Sequence, residues 1–203
     1  MENNNNNVKL FGKFHGEFKY DHECFGEKFH KGILDVKRTS GTIDEIPVLV
    51  SNRLINIKYD WSSKQIEVVG DFRSYMHRVD GKNKLDIYVF AREINIVDDE
   101  PQLNNHVYLN GYICKAPGYR ETPFGREISD LLIAVNRPYG KSDYIPCIAW
   151  GRTARFASTL DVGTNIVING RIQSRQFNKQ VGDSQEIKTV YELSICKLET
   201  EDV

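Results

Sequence analysis

Asn105-His106-Val107-Tyr108-Leu109-Asn110-Gly111 stands 99 positions after Asn6-Asn7-Val8-Lys9-Leu10-Phe11-Gly12, and the two stretches share Asn, Val, Leu and Gly at alternate positions. Apolar residues spaced by two read as a strand with one buried face. The correspondence runs without a gap from residues 6–53 onto 105–152, with 14 identities in 48 aligned positions. Most of the shared residues are the apolar, Gly and Pro positions that set a backbone, such as Gly26 and Gly125 or Pro47 and Pro146. A unit of about 100 residues is domain-sized, so the chain reads as a tandem duplication. Later landmarks recur at offsets of 100 (Gly70 and Gly170) and 104 (Val89 and Leu193), so only loops have changed length.

Strand signals continue through the second copy. Glu127 to Val135 is an apolar run, and a loop follows at Arg137-Pro138-Tyr139-Gly140-Lys141-Ser142. Tyr144 to Trp150, Ile166 to Ile172 and Tyr191 to Ile195 are three further strands, with a polar loop from Asn178 to Glu186 before the last. Arg152 to Leu160 has helical spacing in Ala154, Ala157 and Leu160. Five strands with one short helix between the third and fourth match the five-stranded Greek-key OB barrel. Gly111 and Gly170 sit where a tightly coiled strand needs a residue without a side chain. The predicted fold is all-β: two tandem five-stranded OB-fold Greek-key barrels, each with at most one short helix. Residues 1–7 are expected as a disordered polar arm, 8–98 as a degenerate OB-fold domain and 99–104 as the linker. Residues 105–198 form the second domain, and 199–203 a short acidic tail.

With 40% hydrophobic and 11% aromatic residues the chain suits a folded, soluble protein. No apolar run approaches the roughly 20 residues that span a bilayer, and the Asn-rich start has no signal-peptide pattern. Cys114, Cys147 and Cys196 lie in or beside strands and read as small buried hydrophobes of a reducing compartment. His15, His22, Cys24 and His30 are zinc-type ligands, but their spacing fits no compact zinc pattern, and they read as a polar hairpin. No metal or other cofactor is expected. The net charge of −1 hides an asymmetry: residues 101–190 hold 11 basic and 7 acidic groups, so the second copy is the better match for an anionic partner.

Strand parity then sorts the side chains. Ile145, Cys147 and Ala149 take the inner face, which leaves Tyr144 and Trp150 outward. Ile166, Ile168 and Ile172 are inner, which leaves Arg171, Arg175 and Phe177 outward, with Lys179 beyond. Tyr139 and Lys141 overhang from the adjoining loop. Aromatic rings among cations suit an unpaired nucleic-acid strand, because bases stack on the rings while Lys and Arg neutralise phosphates.

These residues are those of a known family. Residues 105–198 resemble the bacterial single-stranded DNA-binding protein. The resemblance rests on Asn105-x-Val107-x-Leu109-x-Gly111, Arg120-x-Thr122-Pro123-x-Gly125, Ala134-Val135-Asn136-Arg137, Trp150-Gly151-Arg152-x-Ala154 and Val167-x-Asn169-Gly170-Arg171-Ile172-Gln173-Ser174-Arg175. It implies stacking by Tyr139, Tyr144, Trp150 and Phe177, and cationic contacts by Arg137, Arg152, Arg171 and Arg175. It further implies sequence-tolerant, non-catalytic binding of single-stranded DNA in replication, recombination or repair. The implied setting is the bacterial cytoplasm, associated with the nucleoid, and the implied assembly is a homodimer with four barrels. Family members carry an acidic, apolar tail tip that recruits genome-maintenance proteins, and the ending Thr200-Glu201-Asp202-Val203 argues against that role.

At the positions of Tyr139, Tyr144, Trp150 and Phe177 the first copy has Ser40, Glu45, Ser51 and His77. It is expected to bind a strand weakly or not at all and to serve assembly or protein contact. The alternative is a scaffold or loader of the replication or recombination machinery, with subsidiary DNA binding. Catalysis is not expected: Glu121, Glu127, Asp130 and Asp143 are dispersed, and Asp143 and Asp44 read as turn residues.

Overall fold

The computed structural model describes residues 5–62, 64–99, 101–181 and 184–201, without the side chains at positions 179, 181, 184 and 185. The first barrel is built from β1 (Asn6–Cys24), β2 (Glu27–Lys37), β3 (Ile43–Ser51), β4 (Ile66–Val79) and β5 (Lys82–Ile96). The second is built from β6 (Asn105–Ile113), β7 (Gly118–Glu121), β8 (Glu127–Arg137), β9 (Lys141–Trp150), β10 (Asn165–Val181) and β11 (Ser184–Thr200). A short helix, α1 (Gly151–Ala157), joins β9 to β10. β1 pairs with β4 along Val8–Gly12 and with β2 from Lys13 onward, while parallel contact between β3 and β5 closes the barrel. β6, β8, β9, β11 and β10 close the second barrel in the same order. The expected pair of five-stranded barrels is therefore present. No helix among the described residues is long and apolar enough to cross a membrane.

One strand of the first copy is two in the second. Pro117 lies between β6 and β7 at the position where the first copy has Phe18. Proline has no N–H to give to a ladder, so the strand breaks there and continues unbroken through Phe18. The glycine reading also holds. A Cβ on Gly111 would lie 2.6 Å from the Ala134 carbonyl oxygen, and one on Gly170 2.5 Å from that of Ser194. At Gly170 the register slips, because Asn169 pairs with Lys197 and Gly170 with Ile195, leaving Cys196 as the extra residue of a bulge. Cys196 is consequently exposed and Cys114 only partly covered, which corrects their reading as buried hydrophobes. Cys147 alone is fully enclosed, and burial pushes its thiol up.

Three boundaries also differ from expectation. Within the expected loop Asn178 to Glu186, residues 178–181 and 184–186 are strand, with Asn178 paired to Ile187 and Val181 to Ser184, so the β10–β11 ladder is longer than expected; residues 182 and 183 lie outside the described residues. Asn6 and Asn7, expected in the disordered arm, pair with Leu109 and Tyr108; residues 1–4 lie outside the described residues. Glu199 and Thr200, expected in the acidic tail, are the end of β11, and residues 202 and 203 lie outside the described residues.

The barrels join through β1 and β6, which pair antiparallel about Val8 and Val107, giving one continuous sheet of 11 strands. This pseudo-twofold explains the polar residues that the copies share. Asp44 receives a two-pronged bond from Arg38, with both distances 2.6 Å, and accepts from the Ser174 N–H at 2.7 Å across the interface. Reciprocally, Asp143 accepts from the Ser74 N–H at 2.8 Å and from Arg73 Nη1 at 3.2 Å, with Arg137 Nε at 3.4 Å. Both carboxylates are buried. They are inter-barrel anchors, which corrects their reading as turn residues.

Burial opposes ionisation of Asp44, but the Arg38 fork and the Ser174 bonds outweigh it and hold its carboxyl below the ordinary 3.8. Its contribution to stability is therefore present above the unfolded value and is lost as pH falls through the lower folded value. Thermal melts from about pH 7 down to about pH 3 should show a steepening fall below about pH 4, and Asp44→Asn should flatten it. Parallel curves for the two chains would assign the acid sensitivity to other groups.

Candidate nucleic-acid interface

The outer surface of β9, β11 and β10 carries the predicted residues in rows set by register. Trp150, at the end of β9, donates its indole N–H to Ser194 Oγ on β11 at 3.2 Å, and Ser194 pairs with Arg171 on β10. The ring and the guanidinium thus flank one small residue. Farther along, Phe177 lies beside Arg175, whose guanidinium carbon is 5.9 Å from the ring centroid. Tyr144, Trp150 and Phe177 are 43%, 38% and 37% exposed, so each presents a ring face while its other side is held by the sheet. The backbone N–H of Tyr144 donates to Ser74 Oγ of the first barrel at 2.7 Å, which fixes this strand against its neighbour.

The cations divide into free and engaged groups. Lys141, Arg152 and Arg171 are exposed and make no ion pair among the described residues. Arg175 Nε stands 3.8 Å from Glu192 Oε1, and that buried carboxylate also accepts from Gln173 Nε2 at 2.8 Å. Arg137 is partly spent on Asp143 in the interface. The side chain of Lys179 lies outside the described residues.

Tyr139 departs from the expected grouping. It sits in a single 3₁₀ turn, Pro138–Gly140, with φ 65° and ψ 30°, a left-handed conformation uncommon outside glycine. The ring is 99% exposed and overhangs the first barrel. There Tyr139, Lys141 and Arg137 share the wall of a 360 Å³ cavity with His22, Tyr88 and Phe90. Tyr88 and Phe90 are not among the expected residues, and His22 is named only as a zinc-type residue of a polar hairpin. The outward parity of Tyr88 and Phe90 on β5 is the signal that finds them. Of the four zinc-type residues, His15 falls in a group of three possible ligands among the described residues, with Asp35 and Glu45, and its Nδ1 pairs with Asp35 at 3.2 Å. His22 instead stacks on Phe29.

Comparison with known proteins bears on both halves. The single-stranded DNA-binding protein of Oceanobacillus iheyensis is 35% identical over 103 residues, which is 47% of this chain and 64% of that protein. Single-stranded DNA-binding protein A of Bacillus subtilis is 32% identical over 102 residues, 47% of this chain and 59% of that one. The chain thus spans about three fifths of the length of these curated relatives. The crystal structure of the wild-type single-stranded DNA binding protein from Thermus aquaticus superposes over 98% of this chain and 93% of its own, with a TM-score of 0.73 and 23% identity. That likeness extends the shared fold to both barrels. The sequence profile of the single-strand binding protein family matches residues 104–199, the second barrel.

Proposed function

We propose that the chain binds single-stranded DNA, with little regard to sequence and without catalysis, on the outer face of its second barrel. The observation that carries this reading is the row of half-exposed rings, Tyr144, Trp150 and Phe177, interleaved with Arg171 and Arg175 on adjacent strands. The match of the family profile to the second barrel and the names of the relatives support it. Each ring offers a π-face that any base can stack on, and the exposed cations supply a sequence-independent attraction for phosphates. Such binding serves DNA replication, recombination and repair in a bacterial cytoplasm. The units are domains at 8–98 and 105–198, and two chains associate to present four barrels.

Titration with labelled oligo-dT tests the reading. Saturable binding is expected, with quenching dominated by Trp150, since Trp61 is tied to the Asn56 carbonyl at 2.9 Å and packs against the core of the first barrel. If about six phosphates are neutralised, log K falls against log salt with a slope of roughly −4. Absence of measurable binding at low salt would overturn the proposal.

A further inference from the structure

The fold gives His15 ligand-type neighbours other than His22, Cys24 and His30. One nitrogen of His15 and one oxygen each of Asp35 and Glu45 lie within 4.8 Å of one another. His15 is on β1, Asp35 on β2 and Glu45 on β3, strands that pair in that order. Register puts all three on one face: His15 pairs with Ile33, two residues before Asp35, and Asp35 pairs with Glu45. Drawn from three strands, the set has no spacing that the sequence would reveal. It is open on one side, with the His15 side chain 61% and the Asp35 side chain 29% exposed.

Two features of the carboxylates call for a cation. Side chains directly opposite on paired strands are within reach of each other, and like charges there repel. Asp35 and Glu45 are such a pair, and among the described residues no lysine or arginine forms an ion pair with either, Lys13 opposite Asp35 on β1 included. Asp35 Oδ1 is also buried without a hydrogen-bond partner, while Oδ2 lies 3.2 Å from His15 Nδ1. A buried acceptor left unmet carries a penalty, which a cation bound to the carboxylate relieves. The tandem repeat supplies an internal comparison. At an offset of 99 the second barrel has Cys114, Ala134 and Tyr144, and there Ala134 pairs with Tyr144. The barrel therefore forms without charge at these positions, and the first copy alone holds the three ligand-type residues together.

We propose that His15, Asp35 and Glu45 bind a divalent cation of the zinc class, with water completing its coordination on the open side. An imidazole nitrogen with two carboxylate oxygens suits zinc and its first-row neighbours, whereas calcium and magnesium take oxygen alone. Ligand atoms about 2.1 Å from a tetrahedral zinc stand about 3.4 Å apart, so His15 and Asp35 already have the spacing. Rotation of the exposed Glu45 side chain closes the third side. The ion ties β1 to β2 and β3 just before the β1–β2 register slips between His15 and Lys19, where Gly16 has a φ of 73°. Binding there steadies the first barrel at the point where its longest strand is least regular, because an ion held only by the folded chain stabilises it.

Zinc chloride titrated calorimetrically into the full chain should show one equivalent bound per chain. His15→Ala and Glu45→Gln, both at exposed positions, should each weaken binding about tenfold or more, since even the loss of an outer-shell partner costs that much. Absence of binding by the parent chain would overturn the proposal, as would undiminished affinity in both variants. Cys24 and Cys196 are exposed and compete for zinc, and cobalt tells the two kinds of site apart. Cobalt held by nitrogen and oxygen shows no thiolate charge-transfer band in the near ultraviolet. A first equivalent that brings such a band would assign the ion to a cysteine and sink the site. A further measurement needs no substitution: manganese added to isotope-labelled chain should broaden the amide signals around His15, Asp35 and Glu45 first. Broadening centred anywhere else would rule the site out.

Discussion

Asp143→Ala should destabilise the chain by about 3–5 kcal/mol in denaturant unfolding, because it removes the anion shared by Arg73 and Arg137, leaving Arg73 to Asp71 alone and Arg137 without its carboxylate. Asp143 is wholly enclosed, and Arg73 and Arg137 approach the same carboxylate oxygen at 3.2 and 3.4 Å. The Ser74 N–H, bonded to the other oxygen, would lose its acceptor, and an unsatisfied buried donor adds a penalty of its own. Asp130→Ala is the matched control. Its pair with Arg120 is as short, 2.9 Å, but both side chains are about half exposed, so its loss should cost less than about 1 kcal/mol. Equal losses for the two variants would show that Asp143 does not anchor the barrels. Asp143→Asn should fall between them, since an amide oxygen still accepts the Ser74 bond while the charge is removed.

The same interface shows what the amino-acid sequence made legible and what it did not. Alternation found the inner faces, since burial of Ile145, Cys147 and Ala149 is a property of one strand and its period of two. The outward turn of Tyr144, Trp150 and Phe177 followed from that parity. Asp44 and Asp143 looked like loop residues because what they bond is distant: Ser174 and Ser74 lie 130 and 69 positions away. No local pattern encodes a contact of that separation. The shared Asn6 and Asn105 belong to the same class, each making a two-way bond with the backbone of Phe72 or Ile172. Hence the identities between copies record the duplicated architecture of the joint as much as the barrels themselves.

Hairpin length was hidden for a different reason. Asn178 to Glu186 is mostly polar in sequence, so hydrophobic patterning gives no sign that Asn178 pairs with Ile187 or Lys179 with Glu186. In the first barrel the corresponding turn is the dipeptide Asp80-Gly81, both with positive φ, the two-residue form of a tight hairpin. The orientation of Tyr139 was out of reach for sequence reasoning, since a residue outside a strand carries no parity. Its left-handed backbone is a property of the folded turn alone.

Removing two stacking faces should show which force holds a bound strand. Trp150→Ala, Phe177→Ala is expected to weaken oligo-dT binding by about 2–4 kcal/mol, or roughly thirty- to a thousandfold. Because the substitution removes the indole reporter, a labelled oligonucleotide is the probe. Folding should survive, as both rings are more than a third exposed and neither belongs to the enclosed core. Tyr119→Ala is the control: that ring is equally exposed but sits on β7, bonded to Glu127 at 2.7 Å, away from the row of cations. The salt slope separates two explanations of a loss. If the rings act by stacking, Arg171 and Arg175 still neutralise their phosphates, so the slope is unchanged and only the intercept falls. If the rings merely hold the guanidiniums in place, as the 5.9 Å contact between Arg175 and Phe177 permits, the slope becomes shallower as phosphate contacts are lost. The hydrogen bond from Trp150 to Ser194 favours the first outcome, because it fixes the indole through the sheet and independently of either arginine.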